Sequence, residues 1–87
     1  MSDTESAEPG EDMALLDATG LRCPMPLLKA KKALNELPGG ALLKVIATDP
    51  GSERDFETFS RQSGHALLQS GRDGDAYIYV LRKKTGT

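Results

Sequence analysis

The chain has no tryptophan, a single histidine and a single cysteine in 87 residues. One cysteine excludes an internal disulfide framework, a CxxC redox pair and any zinc site built on several thiolates. An unpaired thiol fits a reducing compartment better than a secreted one. Two tyrosines and two phenylalanines are a thin supply for a base-stacking surface. Long apolar runs are missing too: "AYIYVL" falls far short of the roughly 20 residues of a membrane span. No basic segment followed by an apolar one opens the chain, so no signal peptide is expected and the cytoplasm is the default location. No metal site and no bound cofactor are expected.

Charge is present but unevenly placed. Residues 1–13, "MSDTESAEPGEDM", hold five acids (Asp3, Glu5, Glu8, Glu11, Asp12) and no base. Setting that −5 aside turns the net −2 of the whole chain into +3 over residues 14–87. The acidic stretch has almost nothing to bury and is expected to be a disordered tail. A charge of +3 is too weak to argue for binding of duplex nucleic acid. What remains is one small domain over 14–84, ending in a flexible 85–87. At this size a chain buries only ~60% of its unfolded surface, so the core is modest.

Hydrophobic spacing orders the elements. "ALLDA" (14–18) reads as a strand closed by Thr19-Gly20. In "PMPLLKAKKALNEL" (24–37), Leu27, Ala30, Leu34 and Leu37 form one helical stripe, with Lys29, Lys31 and Lys32 off it. Pro38-Gly39-Gly40 stops that helix. "ALLKVIAT" (41–48) alternates as a strand. A second helix starts after "DPGS", with Ser52 as cap and Asp55 three residues on, or with Asp49 and Pro50 as the rival start. Phe56 and Phe59 share its face and Gly64 ends it. "HALLQS" (65–70) and "AYIYVLR" (76–82) are strands joined around Asp73-Gly74, a hairpin signal. The order β-α-β-α-β-β makes the first two strands parallel with a right-handed crossover. Two helices cannot cover both faces of four strands. The expected fold is therefore α+β: a two-layer sandwich, a four-stranded mixed sheet with both helices on one face. The other face keeps some apolar side chains, either a docking patch or an ordinary half-exposed sheet.

The cysteine stands in "GLRCPMPLL" (20–28). With Pro24 as the first helical residue, Cys23 is at the N-cap or beside it. Free amides and the helix dipole there favour a thiolate. Cysteines so placed have pKa values lowered from about 8.5 to ~3.5–7.5. Arg22 and Lys29 add positive potential if their side chains point that way. Pro24 biases Cys23 away from helical geometry, and Pro26 stiffens the same turn. Against this stands the common fate of a free cysteine, which is to be buried and inert. His65 follows the second helix, at the end of the sheet opposite Cys23, so a Cys–His dyad is not expected. No resolving cysteine exists. What one activated thiolate does unaided is accept sulfur, hold it as a persulfide and pass it on.

The same residues resemble a family. "LDATGLRCPMPLLKAKKAL" (16–34) is similar to the start of the TusA/SirA family, marked by Cys-Pro-x-Pro after Gly-Leu. "TDPGSERDFETFSRQSGHALL" (48–68) and "YIYVLRKK" (77–84) resemble its later segments. The family fold is the two-layer β-α-β-α-β-β sandwich. The resemblance implies a small sulfur carrier with a persulfide on Cys23, a sulfurtransferase-type intermediate rather than a turnover enzyme. It implies a cysteine desulfurase or rhodanese-like donor. Destinations would be tRNA 2-thiolation, molybdenum-cofactor enzymes or sulfur oxidation. Pro24 and Pro26 map onto the motif, and Met25 is its variable position.

Arg22, Met25, Lys29 and Lys32 are candidates for docking a protein partner, the cations by guiding an acidic one. A carrier that docks two partners in turn through one sulfur suggests a monomer. Two rivals remain open: a regulatory or binding module in which Cys23 is dispensable, and a thiol redox sensor.

Overall fold

The structure, a computed structural model, describes residues 13–85. The expectations for residues 1–12 and 86–87 lie outside the described residues. The elements run β1 (Met13–Ala18), α1 (Met25–Asn35), β2 (Leu42–Ala47), α2 (Ser52–Ser63), β3 (Ala66–Asp73) and β4 (Ala76–Arg82). That is the β-α-β-α-β-β order read from the spacing. The four strands form one mixed sheet in the order β1-β2-β4-β3. β1 pairs with β2 in parallel, from Met13↔Leu42 to Ala18↔Ala47, and β4 pairs antiparallel with both β2 and β3.

The core lies on one face of the sheet. Ala18, Leu43, Val45, Ala47, Tyr79 and Leu81 point from the strands into it, and Ala30, Leu34 and Phe56 close it from the helices. β1, β2 and β4 contribute every second residue, as the pleat requires, while β3 adds only Leu67 at the margin. Helix α1 buries Pro26, Ala30 and Leu34, with Leu27, Ala33 and Leu37 packed at the margin. The stripe read from the sequence is therefore the buried face. The opposite face of the sheet alternates apolar and charged residues. Leu15 pairs with Lys44 and Lys44 with Val80, while Asp17 pairs with Ile46 and Ile46 with Ile78. Leu15 is the most exposed apolar side chain there, at 64%. With charges interleaved in each row, this face reads as an ordinary half-exposed sheet surface.

Three local readings need correction. β1 begins at Met13, one residue before the expected strand. The hairpin turn is Gly74-Asp75, with Asp73 already paired to Ala76 and Gly74 at φ +65°. A two-residue turn needs positive φ, which glycine supplies without steric cost, and here the glycine takes the first central position.

Ser52 is not a cap. It is the first residue of α2, its N-cap is Gly51, and Asp49 starts the turn by accepting Gly51 N–H on Oδ2 at 2.9 Å and Ser52 N–H on its carbonyl at 3.0 Å. The Ser52 side chain instead turns inward, fully buried, and shares a hydrogen bond with Tyr79 Oη at 2.7 Å. Neither expected start holds: Pro50 stays in the turn before the helix, and the Ser52 hydroxyl is taken by the core.

That buried pair makes a stability prediction. Tyr79→Phe strands the Ser52 hydroxyl and is expected to cost about 1–3 kcal/mol, whereas the Tyr79→Phe, Ser52→Ala double variant recovers most of the loss. Urea unfolding of Tyr79→Phe, Ser52→Ala, the double variant and the parent checks it. Equal losses in the single and double variants would show that the pair carries no coupling.

Candidate functional site

Because β1 and β2 are parallel, their C-terminal ends lie side by side. The chain leaves β1 through residues 19–24 and leaves β2 through residues 48–51, so two loops meet at one edge. They are tied together where Gly20 N–H donates to Thr48 Oγ1 at 2.8 Å. Asp17 Oδ1 shapes the first loop by accepting Thr19 N–H at 3.0 Å and Thr19 Oγ1–H at 2.8 Å. Those two bonds hold the Asp17 carboxyl below its usual pKa.

Cys23 sits at this junction, and it is exposed. Pro24 is the N-cap of α1 and Met25 its first residue, so Cys23 lies one position outside the cap. The Cys23–Pro24 peptide is cis. The sulfur turns toward α2, where its Sγ–H donates to Asp55 Oδ2. A Cβ built on Gly51 would stand 3.7 Å from Sγ and only 2.9 Å from Asp49 Oδ2. A side chain at position 51 would press on the Asp49 carboxylate of its own loop, while its contact with Cys23 would be ordinary van der Waals packing.

The start of α2 thus lies against the sulfur. An open cavity of about 750 Å³ lies beside them, with Cys23 on one wall and Pro50, Gly51, Glu53 and Asp55 on the others. Arg54 and Glu57 complete its rim.

This arrangement overturns the expected ionisation. The hydrogen bond to Asp55, then loss of water, then the negative charges of Asp55 and Asp49 push the Cys23 thiol above its ordinary value. A hydrogen bond donated by the neutral thiol favours the neutral form, and two nearby carboxylates oppose a second negative charge. The start of α1 taken alone favours a thiolate, but the neighbouring helix places Asp55 in its own first turn, against the sulfur.

The other residues named from the sequence divide into groups. Pro26 is buried and anchors the first turn of α1; Pro24 is exposed. Arg22, Met25, Lys29 and Lys32 are all exposed, and none of them lines the cavity beside Cys23. Lys29 and Lys32 flank a separate groove of about 200 Å³ with Leu16, Ala33 and Glu36. Met25, Lys29 and Lys32 follow a helical i, i+4, i+7 spacing, so they form one ridge that begins two residues after the sulfur. Lys31 is set apart from them, its Nζ 5.6 Å from the Phe59 ring centre.

His65 takes no part. It follows the 12-residue α2, about 18 Å along the helix from its start. Its Nδ1 accepts Lys84 N–H at 3.0 Å, and burial with nearby Lys84 and Lys83 lowers its pKa. Asp55, Asp49 and Gly51 are the site residues that sequence reading missed. Asp55 was read as a capping residue, and no local pattern pairs position 55 with position 23.

Known proteins share this architecture. The family described as Sulfurtransferase TusA matches residues 14–83. A sulfur carrier protein TusA from Allochromatium vinosum is 48% identical over 68 residues, covering 78% of this chain and 90% of that protein. A putative sulfur carrier protein, YrkI, from Bacillus subtilis is 45% identical over 69 residues, 79% of this chain and 92% of its own length. The crystal structure of a SirA-like protein from Desulfitobacterium hafniense superposes with a TM-score of 0.73 at 26% identity, over 83% of this chain and 99% of the other. Fold, length and sequence agree, and the chain belongs to the TusA family of sulfur carriers.

Proposed function

We propose that the protein carries sulfur as a persulfide on Cys23, taken from a cysteine desulfurase or rhodanese-like donor and passed to an acceptor protein. The observation that carries this reading is the placement of the chain's one thiol. It is exposed, in an open cavity, at the joined ends of two parallel strands and beside two helix N-termini. A persulfide held there can be approached by a second protein from solvent. When it ionises, the positive ends of the two helix dipoles favour the negative form.

The partner surface is two-sided. The ridge of Met25, Lys29 and Lys32, with Arg22 before it, offers apolar and cationic groups on the α1 flank. Glu53, Asp55 and Glu57 offer anionic groups on the α2 flank. Opposed charges on either side of one sulfur fix the orientation of a complementary partner more than they add affinity. The carrier acts as a monomer in a reducing cytoplasm, where an unpaired thiol persists. Delivery to tRNA 2-thiolation, molybdenum-cofactor or sulfur-oxidation proteins depends on which acceptor presents the matching surface.

Incubation with a cysteine desulfurase and free cysteine is expected to add one sulfur, about 32 Da, to the intact protein. A reductant such as dithiothreitol removes it. An unchanged mass under conditions where the desulfurase turns over would reject the carrier reading.

A further inference from the structure

We propose that Asp55 is a positioning residue for sulfur loading: its carboxylate holds the Cys23 Sγ–H toward the α2 cavity and retains that proton until a persulfide donor is seated. The proposal rests on the carrier reading and adds the residue that governs when the sulfur reacts.

The geometry is specific. Asp55 is on the first turn of α2, half-buried, and its Oδ2 receives the thiol proton. Its backbone N–H is already used, donating to the Gly51 carbonyl at 3.2 Å. Phe56, the next residue, is fully buried and stacked on Tyr79, so the turn bearing Asp55 has little freedom to move. The acid is held by the core, and it holds the sulfur.

The ionisable groups around the sulfur come mainly from the α2 side. Asp49 and Asp55 act directly on the thiol, Glu53, Arg54 and Glu57 line the cavity, and Arg22 precedes the cysteine on the α1 side. The resting thiol is therefore exposed but kept neutral, and neutral thiols are poor nucleophiles. This separates accessibility from reactivity. A small diffusing electrophile meets a protonated sulfur. A docked donor brings its own persulfide into line with Sγ and replaces water in the cavity.

The loading step balances without an external oxidant. The Cys23 S–H bond breaks as Sγ attacks the outer sulfur of the donor persulfide. A new S–S bond forms on Cys23 while the S–S bond of the donor breaks, its electron pair going to the donor cysteine sulfur. The proton released from Sγ ends on that sulfur. One sulfane sulfur has moved, and the products are the Cys23 persulfide and the donor thiol.

Two rates measured on the full chain test the role: alkylation of Cys23 by iodoacetamide across pH, and single-turnover loading from a persulfidated cysteine desulfurase. In the parent protein, alkylation is expected to rise only above the ordinary thiol range of about 8.5. Asp55→Asn is expected to move that rise to lower pH and speed alkylation at pH 8. The same change slows loading by about tenfold, the difference between a charged and a neutral acceptor for the thiol proton. Asp55→Glu keeps the charge and restores both rates at least in part.

A substitution that merely disturbs the fold also frees the thiol, so alkylation speeds and loading falls in a chain whose cooperative melting transition is lost or strongly lowered. That outcome, or no change in either rate, overturns the proposal. A thermal melt of each variant identifies the first case. Failure of the parent itself to load sinks the carrier reading and this role with it, whereas equal loading of parent and Asp55→Asn sinks the role alone.

Discussion

Cys23→Ser is expected to bring sulfur loading down to background, with no measurable residue of activity, while leaving the melting temperature almost unchanged. The first half follows from chemistry. A serine oxygen forms no persulfide, and the chain has no second cysteine through which sulfur could pass. The second half follows from position. Cys23 is exposed and lies outside both helices, and substitutions at such sites shift stability by no more than about 0.5 kcal/mol. Serine also keeps a hydroxyl that can donate to Asp55. The measurement is intact-protein mass after incubation with desulfurase and cysteine, beside a thermal melt of the same sample. An added sulfur of equal yield on Cys23→Ser would place the acceptor elsewhere. In cells, the rival binding-module reading makes the opposite forecast: Cys23→Ser keeps function and charge reversal at Lys29 and Lys32 destroys it. The two readings therefore separate on one pair of variants.

How much of this was open to a reader of the sequence depends on whether the information is local. The α1 stripe of Leu27, Ala30 and Leu34 is a matter of spacing, and the structure buries that face. The alternation in "ALLKVIAT" and "AYIYVLR" put Leu43, Val45 and Ala47 on one face, and Tyr79 and Leu81 on another. The pairing of β2 with β4 then merged those faces into one core. Topology followed from element order, because few arrangements cover a four-stranded sheet with two helices.

The cysteine itself was legible too, since it is unique and stands before a proline. Its ionisation was not. Helix α1 read alone predicts a lowered thiol pKa. Asp55, 32 residues away in sequence, reverses the direction. Ser52 teaches the same point, since its cap signature was correct as a local pattern and lost to a buried tyrosine hydroxyl. Patterns along the chain give faces and ends. Which ends meet is decided by strand register, and the chemistry of this site is set where two loops meet.

The core residue with the greatest leverage on that meeting point is Phe56. Phe56→Ala is expected to cost about 3–5 kcal/mol, the usual range for a fully buried phenylalanine. The side chain is 0% exposed and its ring lies 4.5 Å from that of Tyr79, with the planes 19° apart. The stack adds to the loss from area alone. In a domain of this size each kcal/mol lowers Tm by roughly 4–8 °C, so a fall well beyond about 10 °C is expected. Total stabilities of small domains are about 5–15 kcal/mol, so the variant retains only part of its margin.

Phe59→Ala provides the comparison. Phe59 is half-buried beside His65, and its loss is expected to be clearly smaller. Urea denaturation of the two variants checks the order. If Phe56→Ala cost less than Phe59→Ala, the start of α2 would not be pinned through the Phe56–Tyr79 stack. The acid that faces Cys23 would then lack the rigid support that its positioning role requires.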